Sequence, residues 1–267
     1  MKISTEIESI ALLTGEEKAV ELVAKAGFDA WDFSMFAMCA YDWGAGRLLP
    51  TDHPLASPNY LQFARRLKQI GLDNGIFCNQ SHAPFPSSVP GIRSCLKRAI
   101  ECTAEAGGRI CIIHPCNDAS PEENAEMYGE LLPFAKSCGV RIATENMYNW
   151  DPVNDDFFVA CLDIGHAEMR SSGSGAGNMI RALGSRLQAL HLHDNDLHGD
   201  SHQIPFSMSI DFDQVVKALK EIGYSGYFTL EASNYLGSAG YTAENALDGV
   251  RNLAESAKRL ARMFEEA

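Results

Sequence analysis

Four segments of the chain end a short apolar run in a carboxylate or an imidazole: Ala143-Thr-Glu-Asn146, Cys161-Leu-Asp-Ile-Gly-His166, Leu190-His-Leu-His-Asp194 and Thr229-Leu-Glu-Ala232. If these runs are strands of one parallel barrel, their carboxyl ends open on a common mouth, where Glu145, Asp163, His191 and Glu231 can converge on a single divalent metal ion. Three carboxylates and one imidazole suit Mn²⁺, Zn²⁺, Mg²⁺ or Co²⁺ rather than a metal that selects thiolates. An ionised carboxylate beside an apolar core is costly unless it is paired or bound to a cation. That cost separates Glu145 and Glu231, which follow apolar runs at equivalent places, from ordinary solvated strand-end glutamates.

Residues three apart on an extended strand face opposite ways, so Asp163 and His166 reach one site only if the backbone turns between them. Gly165, where positive φ is cheap, is the expected place for that turn; otherwise His166 caps the following loop. His191 and His193 share a strand face with Cα atoms about 6.7 Å apart. One of them can bind metal while the other contacts substrate or supports the structure. Of the eight histidines, seven lie at or just beyond a strand end, namely His82, His114, His166, His191, His193, His198 and His202, leaving His53 elsewhere. His198, in a Gly/Asp-rich loop, is expected to be solvent-exposed.

The elements that must hold these residues alternate regularly. Strands are expected at 2–7, 30–35, 75–80, 110–114, 141–146, 159–163, 187–193 and 227–231, with helices at 14–25, 60–70, 92–105, 121–137, 176–183, 212–222 and 242–264. Thr14-Gly-Glu-Glu17 has the spacing of a capping box, and residues 148–158, rich in Asp, Asn and Pro, form an irregular loop. Eight near-continuously apolar strands separated by helical patterns predict a single-domain α/β protein over residues 1–267, a (β/α)8 TIM barrel. A doubly wound open sheet is the runner-up. It would gather its site at one switch point, whereas polar residues here accumulate at strand ends along most of the chain.

The 267 residues carry 35 acidic and 22 basic side chains, a formal charge of −13. That balance opposes nonspecific attraction to nucleic acid or anionic lipid and favours a small diffusible substrate. By size scaling, one folded domain exposes roughly 11,000 Å² of an unfolded roughly 42,000 Å². The first residues run straight into a strand pattern without the apolar core of a signal peptide, and no apolar run reaches membrane-spanning length, so a cytoplasmic location is expected. Eight cysteines without a CxxC pair read as reduced thiols, with Cys78, Cys95, Cys102, Cys111, Cys138 and Cys161 buried and Cys116 the exposed one.

Together with Gly223-Tyr-Ser-Gly226, which precedes the last strand, these segments resemble the xylose-isomerase-like barrel superfamily of sugar phosphate isomerases and epimerases over nearly the full length. The resemblance implies that Glu145, Asp163, His191 and Glu231 are the metal ligands. His191 is chosen over His193 because His191-Leu-His-Asp194 matches the family's His-x-x-acid pattern. The resemblance also makes His166 a substrate contact. The same superfamily includes endonuclease IV-like enzymes. Ser81-His82-Ala-Pro84, His114-Pro115 and Asp200-Ser-His202 resemble segments of their larger zinc cluster, so Asp200 and His202 are candidates for additional metal. Where relatives commonly have Gly-x-Gly after the acid-x-His segment, this chain reads Ile204-Pro-Phe-Ser-Met208.

The favoured expectation is a metal-dependent isomerase or epimerase of a sugar, sugar phosphate or related polyol derivative. It would use one divalent ion and pass through a metal-stabilised enediolate, with Glu145 and Glu231 as acid/base partners. His82, His114, His166, His193 and His202 would contact the carbohydrate. A cyclitol-ketone dehydratase shares the first step. Competing classes are an endonuclease IV-like phosphodiester hydrolase and a non-catalytic sugar-binding barrel. Neither nucleic acid nor membrane is an expected partner, and self-association into a homo-oligomer stays open.

Overall fold

The computed structural model describes residues 1–42, 44–89, 91–146, 153–170 and 174–267. Eight strands form the central sheet: β1 (Lys2–Glu6), β2 (Ala30–Ser34), β3 (Phe77–His82), β4 (Ile110–Ile113), β5 (Arg141–Glu145), β6 (Phe158–Asp163), β7 (Leu187–His191) and β8 (Tyr227–Leu230). From β1 to β7 each strand pairs in parallel with the next, and β1 pairs with β8. A parallel bridge between Leu192 and Leu230 joins the ends of β7 and β8 and closes the barrel. The open sheet is thereby excluded. The accessible surface of 11541 Å² is close to the size expected for one domain of this length.

Each crossover returns the chain along the outside of the barrel, and the helices bury one stripe against the strands. Helix α1 (Glu8–Thr14) follows β1 directly and α2 (Glu16–Ala26) succeeds it; then come α3 (Tyr60–Asp73), α4 (Ile92–Ala106) and α5 (Pro121–Ser137). A short turn of helix, α6 (Ile164–Glu168), precedes α7 (Ala176–Leu183), and α8 (Phe212–Glu221), α9 (Tyr235–Ser238) and α10 (Ala246–Glu266) complete the ring. In α10 the apolar stripe Val250, Leu253, Ala257 and Leu260 is fully buried while Arg251 and Glu255 face water, the 3.6-residue pattern of a helix docked on a sheet.

Two local expectations are corrected. Thr14 does not begin a helix; it ends α1, where its hydroxyl donates to the Ile10 carbonyl, and Gly15 enters α2 without a side-chain cap. The capping box lies instead at Ser120, whose hydroxyl accepts from the Glu123 amide while the Glu123 carboxylate accepts from the Ser120 amide. Cysteines 95 and 138 are half-buried rather than buried, and Cys116 is also half-buried; all eight are free thiols. Of the irregular loop expected over 148–158, residues 148–152 lie outside the described residues, 153–157 carry no helix, and Phe158 already belongs to β6. No helix among the described residues is long and apolar enough to cross a membrane.

The barrel interior divides into two halves. Ile112, Ala143, Val159, Cys161 and Ala189, from β4 to β7, form a small apolar cluster. The opposite half is a polar plug in which Ser4 donates to Asn79 at 2.7 Å, Asn79 to Thr229 at 3.2 Å and Gln80 to Asp32 at 2.8 Å. Polar groups shut away from water persist only when they satisfy one another.

Candidate metal centre and active site

Register places the chemistry. Asp163 and His191 are direct partners across β6 and β7, and Glu145 lies opposite Cys161 across β5 and β6. Glu231 follows β8, its amide donating to the Leu192 carbonyl at 3.0 Å. Asn146, held at φ 45°, clasps the adjoining strand end: its side chain donates to the Asp163 carbonyl at 3.0 Å and accepts from the Asp163 amide at 2.8 Å. The four expected ligands each offer an atom within 4.8 Å of the others, and all four are buried. Nδ1 of His191 stands 3.0 Å from Glu145 Oε2 and 3.4 Å from Glu231 Oε2.

The other face of that imidazole rests on a residue the spacing analysis passed over. Asp32 Oδ2 lies 3.3 Å from His191 Nε2 and also accepts from Gln80. A carboxylate on the far nitrogen fixes ring orientation and leaves Nδ1 for the site, as in the second coordination shell of many metal centres. A register shift between Trp31 and Asp32 marks where β2 departs from regular pairing, the kind of irregularity that re-aims a side chain. A charged residue in the middle of Ala30-Trp-Asp-Phe-Ser34 was the available signal.

Gly165 behaves differently from expectation. It sits in the helical turn α6 without positive φ, and Asp163 accepts the His166 amide at 2.8 Å, so an ordinary N-cap turns the chain. Glycine is required there for space: a Cβ at this position would fall inside the ring of His193. That ring is fully buried, lies 3.0 Å from Asp163 Oδ1 and stacks on His202 with centroids 3.8 Å apart. His202 in turn meets Asp200 at 3.0 Å, and Asp200 meets His166 Nε2, also at 3.0 Å. On the opposite wall His82 and His114 face each other at 3.0 Å, with Glu145 3.4 Å from His82. His198 is exposed, as expected.

Electrostatics follow from this crowding. Burial works against the His166 cation, but Asp163, Asp200 and Glu145 outweigh it and push its pKa up to about 12. His202 is likewise raised, to about 9, against burial by Asp200 and Glu231. His114 goes the other way, down to about 4, because burial and the neighbouring His82 and His191 outweigh Glu145. Burial alone would raise Glu145, yet His114 and His191 hold it well below the carboxylate range. Asp163 Oδ2 and His193 Nδ1 are buried with no hydrogen-bond partner among the described residues, and His193 Nε2, 3.0 Å from Asp163 Oδ1, makes an ion-pair contact but no aligned hydrogen bond. Oxygen and nitrogen donors left bare in a cluster fit a divalent cation bound among them.

Glu6, at the end of β1, is buried with both carboxyl oxygens on Ser9, which donates from its amide at 2.9 Å and from its hydroxyl. Burial raises its pKa from 4.5 to about 7 despite those bonds. The unfolded chain therefore releases this proton first as pH rises, so the stabilisation is complete below about pH 4.5 and is lost as pH climbs through 7. At 1.36 kcal/mol per unit the contribution is about 3 kcal/mol. Metal-free Glu6→Gln, followed by urea unfolding at pH 5 and pH 8, is expected to lose correspondingly less stability across that interval than the parent. Equal losses would show that Glu6 ionises normally in the fold.

In the loop after β7, which reads Ile204-Pro-Phe-Ser-Met208, Phe206 takes φ 71°, a conformation that costs a non-glycine residue roughly 1–2 kcal/mol. The buried Asp194 carboxylate offsets this by accepting the amides of Met208, Ser209 and Ile210 at 2.8, 3.1 and 3.0 Å.

Above the four expected ligands opens a cavity of about 490 Å³, lined by His82, His114, His166 and His202 among others. His193 is not in its wall; it lies beneath, behind His202. The family model described as a xylose isomerase-like TIM barrel matches residues 20–263. The chain belongs to that family. Among its relatives is the uncharacterized protein MJ1311 of Methanocaldococcus jannaschii, 24% identical over 251 residues, covering 81% of this chain and 78% of that one. Solved structures with the same fold include a D-tagatose 3-epimerase-like protein, at TM-score 0.68 and 20% identity, covering 100% of this chain and 99% of the other. A D-allulose 3-epimerase from a Methylomonas species aligns at TM-score 0.70 and 17% identity, covering 97% and 98%.

Proposed function

We propose that this barrel is a metal-dependent isomerase or epimerase of a sugar or related polyol derivative. The observation that carries the reading is the placement of Glu145 Oε2 and Glu231 Oε2 3.0 and 3.4 Å from His191 Nδ1, at a cavity whose described lining holds no lysine or arginine. Glu145, Asp163, His191 and Glu231 would hold the divalent ion, which when bound supplies Lewis-acid polarisation of neighbouring carbonyl and hydroxyl oxygens. Glu145 and Glu231 remove a proton from carbon and return one, each acting from its own side of the substrate. Their positions at the ends of different strands are fixed by the Asn146 clasp and the Leu192 carbonyl. His166, held cationic by Asp163 and Asp200, donates to a substrate oxygen where negative charge develops. Asp32 keeps His191 oriented while this happens. The likeness to solved sugar 3-epimerases supports a carbohydrate substrate, and a cyclitol-ketone dehydratase would use the same first proton removal.

One observation favours a second reading, phosphodiester hydrolysis with several ions. Asp163, His166, His193 and His202 form another compact donor set, and His82, His114 and Glu145 a third. The net charge of −13 and a described lining without lysine or arginine oppose a nucleic-acid substrate. Elemental analysis of protein purified after metal-supplemented growth separates the readings. We expect about one tightly held ion per chain; near three per chain would favour the hydrolase, and none would leave only sugar binding.

A further inference from the structure

The cavity wall formed by the end of β1 and the start of α1 has no part in the metal centre, and it carries two glutamates. Glu6 is fully engaged by Ser9. Glu8, the first residue of α1, lines the cavity, is half-buried, and has no hydrogen bond or ion pair among the described residues. It lines the same cavity as His82 and Glu231, and burial, with Glu6 adding to it, pushes its pKa from 4.5 up to about 7, so its carboxylate is charged above that pH. Nearby lining groups are of two kinds: the rings of Phe36, Tyr41 and Phe85, and the hydroxyls of Ser34 and Ser88. Such rings pack on C–H faces and such hydroxyls bond other hydroxyls. A phosphate ester, by contrast, needs cationic side chains or a run of free amides. The lining's cationic imidazoles, His166 and His202, are each already paired with Asp200 at 3.0 Å, the described lining offers no lysine or arginine, and above about pH 7 the Glu8 carboxylate repels the ester.

We propose that Glu8 determines substrate specificity: its carboxylate accepts a hydroxyl of an uncharged polyhydroxylated substrate and its charge excludes the phosphorylated counterpart. This rests on the sugar-enzyme reading above and narrows it to free rather than phosphorylated sugars. A hydrogen bond to a charged group is worth about 1.5–3 kcal/mol, or roughly 10- to 100-fold in affinity.

The test uses metal-loaded protein at pH 8, where Glu8 is ionised, and calorimetric titration with a panel of four- to seven-carbon ketoses and their terminal phosphate esters. The parent should bind at least one free ketose more tightly than its ester. Glu8→Gln, nearly isosteric, should weaken that ketose at least tenfold while keeping the parent's metal content. Glu8→Lys should shift the ratio of ester to free-sugar affinity at least tenfold toward the ester. Unchanged ketose affinity in Glu8→Gln, tighter binding of esters by the parent, or loss of metal in Glu8→Gln overturns the assignment. If no sugar of either kind binds the parent, the sugar-enzyme reading itself falls and takes the assignment with it.

Discussion

Replacing Gly165 with alanine is expected to disrupt the site more than any other loss or gain of one methyl group. The added Cβ would occupy the ring of His193, which has no room to retreat because it is fully buried and stacked on His202. Overpacking a rigid core costs about 1–3 kcal/mol and sometimes more, and the present overlap belongs at the upper end. For a domain of this size each kcal/mol lowers Tm by roughly 2–4 °C, so a fall of roughly 6–12 °C is expected. Because Asp163 and His166 flank the glycine, metal affinity should fall as well. The double variant Gly165→Ala with His193→Ala removes the obstructing ring and should recover most of the lost thermal stability, a positive coupling between touching residues. A Gly165→Ala protein as stable as the parent would mean that the His193 ring does not lie against this turn.

How far this site was legible depended on whether its signal was local. Most of the strands announce themselves because both their faces are buried, so they read as apolar runs that break where the chain reaches the mouth, whereas β1 and β3 carry the polar plug of Ser4, Asn79 and Gln80. Glu145, Asp163, His191 and Glu231 stand at those breaks, and the barrel brings them within 4.8 Å of one another. His82, His114, His166 and His202 reach the cavity for the same reason. What the sequence did not show was contact between segments distant along the chain. Asp32 supports His191 across 159 positions, and neither residue's neighbours hint at the other. Gly165 was legible as a turn-former but not as the floor beneath His193, since conformational freedom is local and room for a ring is not. Glu8 escaped notice because α1 is only seven residues long and begins without a cap. Its importance comes from the cavity it faces, not from any periodicity. The Thr14 capping spacing misled for the opposite reason: the local pattern fits, but the chain is already helical before it arrives.

Glu231→Gln is expected to abolish turnover, with a loss of at least about a thousandfold, as for removal of a group that acts both on a proton and on a neighbouring charge. The change preserves size, and Glu231 lies beyond the last residue of β8, so the barrel should remain folded. Glu231 is also the more readily protonated of the two flanking carboxylates: burial raises its pKa, with Glu145 adding to the effect against His191, whereas Glu145 is driven down. Weakened metal retention with intact far-ultraviolet circular dichroism should accompany the loss. Full activity and unchanged metal content would make Glu231 a bystander.

The most direct measurement is deuterium uptake from heavy water into free ketoses and polyols, followed by mass spectrometry with parent protein, chelator-treated parent and Glu231→Gln. Metal-dependent incorporation at carbon by the parent, lost on chelation, restored by a divalent ion and absent from Glu231→Gln, is the predicted result. Absence of uptake across the panel, together with metal-dependent cleavage of abasic-site DNA at low enzyme concentration, would contradict it.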